Sequence, residues 1–390
     1  MIGIERRNDC SGCAACANVC SKNAITLLPD KSGFLYPNIN KNKCVDCSMC
    51  DAVCQIELQS SKEKYNQEFF ALINRNDEHL KASSSGGAFL AVAKYVFDNG
   101  GVVVGCAFNN ELKAVHTITY NLEECIEKLC GSKYVQSEIQ NTYTEAKQIL
   151  KGGKLVLYVG TPCQIEGLLL FLKSKPSNLI TMDLICHGVS SPLLWKMHKE
   201  YLESKIHKKI NKYRFRGKER EGWALYYYYY QYGKNKCKHG SSFLDRYYFD
   251  FLKGLNYRES CYTCRYANLN RVSDITIGDF WGAEKYISGI DVNSGVSLII
   301  INSSMGKEII NRIKDNVRLQ KVSMENATKE NHNLIQPTHR PEERDKYYSD
   351  CFSDFEKWEN KYIKTKRWRK ETIKSKIPMV FVRIKRRLFK

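Results

Sequence analysis

The stretch Lys154–Lys173, KLVLYVGTPCQIEGLLLFLK, carries the pattern that decides the fold. Its first half is a short apolar run typical of a strand, and its second half is typical of a helix, so the turn GTPC joins the two. Thr161 can cap that helix, and Pro162 suits its first position. Cys163 then falls in the first helical turn, where the helix dipole favours a thiolate. This position suits three chemical roles for Cys163: a nucleophile, a redox thiol or a metal ligand.

The same alternation of strand and helix patterns continues on both sides of this stretch. From about Glu68, strand-like runs such as GVVVGCAF, LITMDLI and VSLIII alternate with helix-like runs such as AFLAVAKYVF and PLLWKMHKEYLE. Such alternation predicts an α/β body with a largely parallel sheet, α+β when the whole chain is considered. The aromatic run YYYYYQY, which begins at Tyr226, predicts one more strand. We therefore expect a small cysteine-rich domain over residues 1–60, the α/β body over residues 68–325, and a polar linker with a basic tail over residues 326–390.

The chain has 390 residues, and its 17 cysteines need an explanation. The N-terminus, MIGIERRNDC, lacks the apolar core of a signal peptide, so we expect a cytoplasmic protein. Thiols in a reducing compartment more often bind metal or perform redox chemistry than form disulfides. The net charge of +19 is concentrated at one end, since Lys361–Lys390 holds 13 Lys and Arg residues against Glu371 alone. The charge therefore says little about the substrate of the body, and we expect no nucleic-acid partner.

A cysteine pattern occurs twice within the first 60 residues. Both copies have the spacing C-x2-C-x2-C-x3-C, and they lie 34 positions apart: Cys10, Cys13, Cys16 and Cys20, then Cys44, Cys47, Cys50 and Cys54. In ferredoxins that hold two cubane clusters, the fourth cysteine of each such run binds the other cluster. We therefore expect two 4Fe-4S clusters on two groups of ligands, the first cysteine set (Cys10, Cys13, Cys16, Cys54) and the second cysteine set (Cys44, Cys47, Cys50, Cys20). A zinc module or a disulfide knot would not require two identical runs of this kind. The proline that often follows the fourth cysteine is absent, and Ser21 and Gln55 stand in its place.

Four further cysteines are expected to meet at one edge of the sheet. Cys186 follows the run LITMDLI as Cys163 follows KLVLYV. If a right-handed crossover joins these two strands, they are parallel and both end at the same edge, where α/β proteins bind ligands. Cys261 and Cys264 add a C-x2-C pair with metal-ligand spacing ahead of the strand DITIG. This third cysteine set (Cys163, Cys186, Cys261, Cys264) favours a metal site over a catalytic thiol, and its spacing fits zinc and a 4Fe-4S cluster equally.

Six motifs taken together resemble the beta-subunit family of coenzyme F420 hydrogenases and dehydrogenases. They are SSSGGAF at Ser83–Phe89, GSKYVQS at Gly131–Ser137, GTPCQIEGL at Gly160–Leu168, DLICHGVSSP at Asp183–Pro192, RFRGKEREGW at Arg214–Trp223, and C-x2-C followed by DITIGDFWG. The similarity covers roughly residues 1–300 and includes the ferredoxin module that some members carry. Members of the family bind FAD and hold an additional 4Fe-4S cluster near the flavin. The resemblance therefore implies a cluster on the third cysteine set, with Cys163 as a ligand rather than a nucleophile.

The resemblance also implies a bound FAD, although the sequence has no G-x-G-x-x-G fingerprint. The glycines of the segment Ser83–Phe89 would let backbone amides approach a phosphate at the start of a helix. An ordinary capped helix start would have the same residues. With this loop, the family motifs assign to the FAD site Ser85, Gly86, Gly87, Ser132, Lys133, Tyr134, Gly160, Thr161, Gln164 and His187. Gly86→Val is expected to weaken FAD binding by blocking the approach of the backbone to the pyrophosphate.

These cofactors predict an iron–sulfur flavoprotein oxidoreductase. Clusters pass single electrons and a flavin accepts two, so the chain would exchange electrons between a redox partner such as ferredoxin and a deazaflavin (coenzyme F420) or an organic substrate. The alternative hypothesis is a non-catalytic electron-transfer subunit that feeds a partner enzyme. The basic tail suggests a further hypothesis, in which an amphipathic helix that starts near Pro378 lies on an anionic membrane surface. The chain would then be peripheral at the inner face of the membrane. The tail also resembles that of membrane-associated sugar enzymes, which implies a role in surface polysaccharide biosynthesis.

Overall fold

The computed structural model describes residues 4–218, 223, 227–233, 236–289 and 291–375, and it confirms an α/β architecture. The largest element is a mixed sheet of eight strands in the order β13-β3-β12-β11-β7-β6-β4-β5. These strands are β3 (Glu68–Asn74), β4 (Val102–Phe108), β5 (Ala114–Thr119), β6 (Val156–Gly160), β7 (Leu179–Leu184), β11 (Ile275–Asp279), β12 (Ser297–Ile301) and β13 (Val317–Val322).

Five strands of this sheet point in the same direction. β4, β6, β7 and β11 pair in parallel. β12 is antiparallel to both β11 and β3, so β3 runs in the same direction as β11. The edge strands β5 and β13 are antiparallel to their neighbours. We call the side of the sheet at which the five strands end the carboxyl edge, and GTPC, Cys186 and the DFWG motif all follow strands that end there.

Helices cover both faces of the sheet, because its central strands are apolar on both sides. One face is covered by α3 (Ala88–Asp98), α4 (Leu122–Lys128) and α9 (Ser304–Ile313). The other face is covered by α5 (Thr142–Lys151) and α6 (Pro162–Leu172), and the short α2 (Asp77–Ala82) follows β3. Nearly every residue of α6 is buried, from Pro162 and Gln164 through Leu172. A helix that is buried all round must be covered on both sides, and the cysteine-rich domain supplies the second cover.

The cysteine-rich domain is small and lies directly on α6. It contains α1 (Ala15–Val19) and an antiparallel pair formed by β1 (Ile25–Pro29) and β2 (Leu35–Ile39). At the contact, a Cβ added to Gly167 would lie 2.9 Å from the Cβ and 3.0 Å from the Sγ of Cys13. Real Cβ atoms do not approach this closely, so Gly167 is the residue that lets the domain reach the helix.

A second, three-stranded sheet and the C-terminal helices enclose an aromatic core. The sheet consists of β8 (Ile210–Arg214), β9 (Tyr227–Tyr232) and β10 (Lys236–Ser241), and β9 is the strand predicted from the tyrosine run. Around it lie α7 (Pro192–Ile206), α8 (Arg246–Leu252), α11 (Arg344–Ser353), α12 (Phe355–Ile363) and α13 (Lys366–Ser375), whereas the short α10 (Met324–Lys329) packs near β3.

The segment expected to be a polar linker is helical over much of its described length. Tyr347, Tyr348 and Trp358 bury their rings in the aromatic core with Trp195 of α7, which fixes α11 and α12 to the body. The amphipathic helix predicted near Pro378 lies outside the described residues. Among the residues that are described, no helix is both long and apolar enough to cross a bilayer.

A buried charged network joins α7 to α12. The two ring nitrogens of His198 lie 2.8 Å from Glu359 Oε1 and 3.0 Å from Asp245 Oδ2, and the Tyr213 hydroxyl donates to the same Asp245 oxygen at 2.6 Å. Burial alone lowers the pKa of His198, but the two carboxylates outweigh it and raise that pKa to about 10. His198 is therefore an imidazolium that donates to both carboxylates at neutral pH.

Candidate metal centres and the carboxyl edge

The second cysteine set surrounds one cavity at the surface of the cysteine-rich domain. All four of its thiols, those of Cys20, Cys44, Cys47 and Cys50, line a cavity of about 280 Å³. Cys47 is exposed, and the neighbouring Val45 and Met49 expose 59% and 38% of their surface. This set is therefore accessible to another molecule.

The first cysteine set lies against α6, which Cys13 contacts at Gly167. Burial raises the pKa of the Cys16 thiol well above its usual value, and the nearby thiols of Cys13, Cys10 and Cys54 raise it further. The pKa of Cys13 is raised to about 12, again first by burial and then by Cys10 and Cys163. The structure thus brings the four thiols of the first set together and places Cys13 beside Cys163 of the third set.

The third cysteine set lines a cavity of about 250 Å³ at the carboxyl edge. Burial raises the pKa of Cys186 well above its usual value, with additional contributions from the other three thiols of the set. Cys163 occupies the first turn of α6, 3.2 Å from the Thr161 hydroxyl, yet burial raises its pKa to about 11. The helix dipole alone would have favoured a thiolate, so desolvation decides the protonation state at this position.

The donor chemistry of the three sets fits 4Fe-4S clusters. Buried thiols with raised pKa values become thiolates when a strongly positive centre replaces their protons. Within the described ranges, no group of three or more His, Cys, Asp or Glu side chains is close enough to hold a single metal ion. A cubane cluster differs from a single ion because its four thiolates bind four separate irons. Its ligands therefore surround a cavity, as the second and third sets do, and need not converge on one point.

Gln55 connects the first and third sets. Its side-chain amide donates to the Ser11 hydroxyl at 2.9 Å and to the Cys163 carbonyl at 3.0 Å. Its carbonyl oxygen accepts a 2.6 Å hydrogen bond from Tyr266, two residues after Cys264. The sequence showed only that Gln55 replaces a common proline. The structure shows that a proline at this position would lose all three contacts.

Thr161 and His187 are the residues assigned to FAD that line the cavity of the third set. His187 is exposed as a residue, although partial burial of its ring lowers its pKa and nearby Asp279 acts in the opposite direction. Gly160 and Gln164 lie behind this surface. The Gln164 side chain accepts from the Thr161 amide at 3.0 Å and donates to the Ser137 hydroxyl at 2.9 Å, so it completes a capping box.

The glycines of the segment Ser83–Phe89 have a packing role. A Cβ at Gly86 would lie 2.2 Å from the Leu72 carbonyl and 2.4 Å from the Ser297 amide, which belong to two strands of the sheet. Gly87 has a φ of +84°, and its Cβ would lie 2.8 Å from Asn74. The physical reason first given for Gly86→Val therefore needs correction, because valine would disrupt the packing of the loop on the sheet whether or not FAD is bound.

Ser132, Lys133 and Tyr134 follow α4 and lie beside that loop. The Ser132 amide donates to the Ser84 hydroxyl at 3.0 Å. The Lys133 ammonium donates to three carbonyls at the end of α4, those of Lys128, Leu129 and Cys130. An ammonium has three donors, so Lys133 stabilises the helix end and has none left for a phosphate. The Tyr134 ring stacks on Phe251 with 4.4 Å between centroids.

Sequence reasoning missed Arg216 and Asp279, which join three motifs at the carboxyl edge. The Arg216 guanidinium donates to Asp279 at 2.6 and 3.2 Å and to the Ser84 carbonyl at 3.3 Å. It also lies 5.4 Å from the centroid of the Trp281 ring, which stacks on Trp223. The segments RFRGK and DFWG were visible as motifs, but only the fold shows that both lie against the glycine loop.

Comparisons with known proteins match two segments of the chain to known families. The family described as the C terminus of the coenzyme F420 hydrogenase/dehydrogenase beta subunit matches residues 153–327. The family described as 4Fe-4S dicluster domain matches residues 9–57. No curated protein matches the chain. Among solved structures, a chain of the xenon-derivatised F420-reducing [NiFe] hydrogenase complex from Methanosarcina barkeri is similar, with 16% identity, a TM-score of 0.44, and coverage of 71% of this chain and 90% of that chain.

The two family matches define an iron–sulfur electron-transfer protein. Residues 153–327 are similar to the C terminus of the coenzyme F420 hydrogenase/dehydrogenase beta subunit, and residues 9–57 are similar to 4Fe-4S dicluster domains. The resemblance seen in the sequence is thereby confirmed.

Gly167→Ala should separate the two domains. Alanine favours a helix by about 1 kcal/mol over glycine, but its Cβ would meet Cys13 at 2.9 Å, so the cysteine-rich domain must move away. We expect iron bound to the first set to be lost from the purified protein, as measured by iron analysis. Gly152→Ala is the control, because its Cβ would meet no atom closer than 3.3 Å. Full iron content in Gly167→Ala would contradict the expectation.

Proposed function

We propose that this protein is an iron–sulfur flavoprotein oxidoreductase with three 4Fe-4S clusters and one FAD. The clusters would occupy the three cysteine sets, and FAD would lie at the carboxyl edge next to the third set. The observation that carries the proposal is the serial arrangement of the sets. Cys47 of the second set is exposed, burial raises the pKa of Cys13 in the first set, and Cys13 neighbours Cys163 of the third set.

The bound groups would supply the redox chemistry, with clusters passing single electrons and FAD exchanging two with a substrate. The chain positions and shields them. Gln55 fixes the loop of the first set against Cys163, and α6 and Tyr266 bury the passage between the first and third sets. Because the region between the first and third sets is buried, charges at the two sets are screened less than they would be in water.

The surface proposed for FAD extends from the third set to the glycine loop. Backbone groups of Ser85, Gly86 and Gly87, with Ser132 and Tyr134, would form one side of it, and Thr161 and His187 the side next to the third set. We add Arg216 and Trp281, because a guanidinium and an indole are suited to a phosphate and to a flat ring. Gly160, Gln164 and Lys133 support this surface from behind.

Two exchange partners follow from this arrangement. At the exposed second set, we propose a one-electron carrier such as ferredoxin. At the carboxyl edge, we propose a deazaflavin such as coenzyme F420 or an organic substrate. The family that matches the body carries that coenzyme in its name.

Anaerobic purification of the full chain tests the proposal. We expect about twelve iron atoms per chain, from four cysteines and four irons per cluster, and one FAD. Reduced ferredoxin or reduced coenzyme F420 should bleach the flavin faster than reduced nicotinamide does. A folded, cluster-loaded protein that neither contains nor binds flavin would exclude the flavoprotein mechanism, and zinc in the third set would exclude the third cluster. Rapid bleaching without turnover of any substrate by the isolated chain would support the electron-transfer subunit instead.

A further inference from the structure

Arg258 is a fully buried arginine that reaches from the α/β body into the cysteine-rich domain. None of its surface is exposed. Its Nε donates to the Cys10 carbonyl at 2.7 Å, and its Nη1 donates to the Gln136 side-chain oxygen at 3.0 Å. The guanidinium also lies 4.0 Å from the centroid of the Tyr36 ring. The side chain thus crosses the boundary between the two domains at the first ligand of the first set.

The backbone of Arg258 is tied to the third set. Its amide donates to the Val189 carbonyl at 2.9 Å, three residues after Cys186. Its carbonyl accepts from the Cys261 amide at 3.0 Å. The positive charge acts on Cys163 and Cys261, whose pKa values burial raises and Arg258 partly lowers. Arg258 therefore contacts the first set at the Cys10 backbone and acts electrostatically on two thiols of the third set.

The charge of Arg258 has no carboxylate counter-charge in the described part of the chain. The other buried arginines each form an ion pair, Arg216 with Asp279, Arg271 with Asp183 and Arg344 with Glu259. Among the described residues, Arg258 bonds only to neutral oxygens, and its Nη2 has no hydrogen-bond partner. A buried charge without a counter-charge is costly. An anion beside this guanidinium would remove that cost.

We propose that Arg258 is the shared counter-cation of the clusters on the first and third cysteine sets. The inference rests on the proposed function, because it requires clusters at both sets. A 4Fe-4S cluster held by four thiolates has a net negative charge, and one-electron reduction makes it more negative by one unit. A fixed cation between two such clusters stabilises the reduced form of each. Arg258 thereby raises both reduction potentials.

The alternative role for Arg258 is to hold the Cys10 loop through hydrogen bonds alone. A neutral side chain that can donate would serve that purpose, whereas counter-charge requires a cation. Arg258→Gln keeps a donor and removes the charge, and Arg258→Lys keeps the charge and loses the planar fork. Arg265→Gln is the matched control, because Arg265 is next to the ligand Cys264 and, like Arg258, donates to backbone carbonyls of the cysteine-rich domain, those of Gln55 and Ile56, but is exposed to solvent.

The test is a redox titration of the full-length, cluster-loaded chain, with dithionite as reductant and electron paramagnetic resonance as readout. In Arg258→Gln, the equilibrium constant for reduction should fall at least tenfold at both the first and third sets, a shift of about 59 mV for one electron. The second set should change much less. Arg258→Lys should restore most of the potential at both sets. Arg265→Gln should shift both potentials much less than Arg258→Gln does, because water and salt screen its exposed charge.

Each other outcome also decides the question. Unchanged potentials in Arg258→Gln, or equal shifts in the Gln and Lys variants, would overturn the role of the charge. If the Gln variant folds but fails to load clusters, loading by the Lys variant supports the counter-cation, and failure of both variants overturns it. A wild-type chain without iron in the third set would contradict the proposed function itself. Three clusters in the wild type with unaltered potentials in Arg258→Gln would contradict only this inference.

Discussion

Cys163→Ser is expected to lower the iron content from about twelve to about eight atoms per chain. Cys163 lines the cavity of the third set on the side next to the first set. The other three thiols of the third set line the same cavity. Three cysteines and a buried hydroxyl should not retain a cluster. Because the third set is the only one at the carboxyl edge among the described residues, reduction of FAD by reduced ferredoxin should also fall to background. Iron analysis and anaerobic stopped-flow spectroscopy measure the two effects.

Cys125→Ser provides the matched control for this experiment. Cys125 is a fully buried cysteine of α4 that belongs to none of the three sets. Its replacement should leave the iron content and the rate of flavin reduction at wild-type values. Wild-type iron and flavin reduction in Cys163→Ser would show that Cys163 is not a ligand.

His198→Ala is expected to destabilise the protein by about 3–5 kcal/mol, the usual cost of removing one partner from a buried ion pair. Alanine would leave the Asp245 and Glu359 carboxylates buried without a counter-charge, since both now accept from the imidazolium. The contact between α7 and α12 should loosen, and the denaturant midpoint of the aromatic core should fall. Tryptophan fluorescence measures this midpoint, because Trp195 and Trp358 lie in that core.

Glu356→Gln is the control for the His198 variant, because Glu356 and Lys205 also join α12 to α7. That pair is exposed, with 66% and 45% of the two side-chain surfaces accessible, so its loss should cost less than about 1 kcal/mol.

The pH dependence of the stability is a second readout for the His198 variant. The folded pKa of His198 is about 10 against an ordinary value of 6.5, so its contribution is complete below pH 6.5 and is lost as the pH rises towards 10. If the stability of His198→Ala fell in the same way as the pH rises, a group other than His198 would cause the decline.

Most of the strands and helices, and the grouping of the twelve cysteines into three sets, could be predicted from the sequence. Apolar runs of five to seven residues correspond to β3, β4, β6, β7 and β12 because strands buried on both faces have continuous apolar sequence. The parallel pairing of β6 with β7 places Cys163 and Cys186 at one edge, since one crossover helix joins the two strands. These inferences use local patterns and one rule of handedness.

The contacts between domains could not be predicted in the same way. Arg258 and Cys10 are 248 positions apart, and Gln55 and Cys163 are 108 positions apart. No local periodicity marks such pairs, because they exist only after the cysteine-rich domain has docked. For Lys133, a local motif led to a wrong expectation. A lysine beside a serine in a family motif suggested a phosphate ligand, whereas the ammonium completes the end of its own helix.

The complete burial of α6 bears on how such a protein can be assembled. Its outer side is covered by the cysteine-rich domain. The absence of a side chain at Gly167 lets Cys13 pack directly against the helix backbone. If the same two domains were encoded as separate polypeptides, the larger one would expose an oily helix whenever its companion left. The companion would have to be a permanent subunit, synthesised and folded together with the larger chain. It could not act as a carrier that diffuses between enzymes, however closely its cysteine spacing resembles that of one.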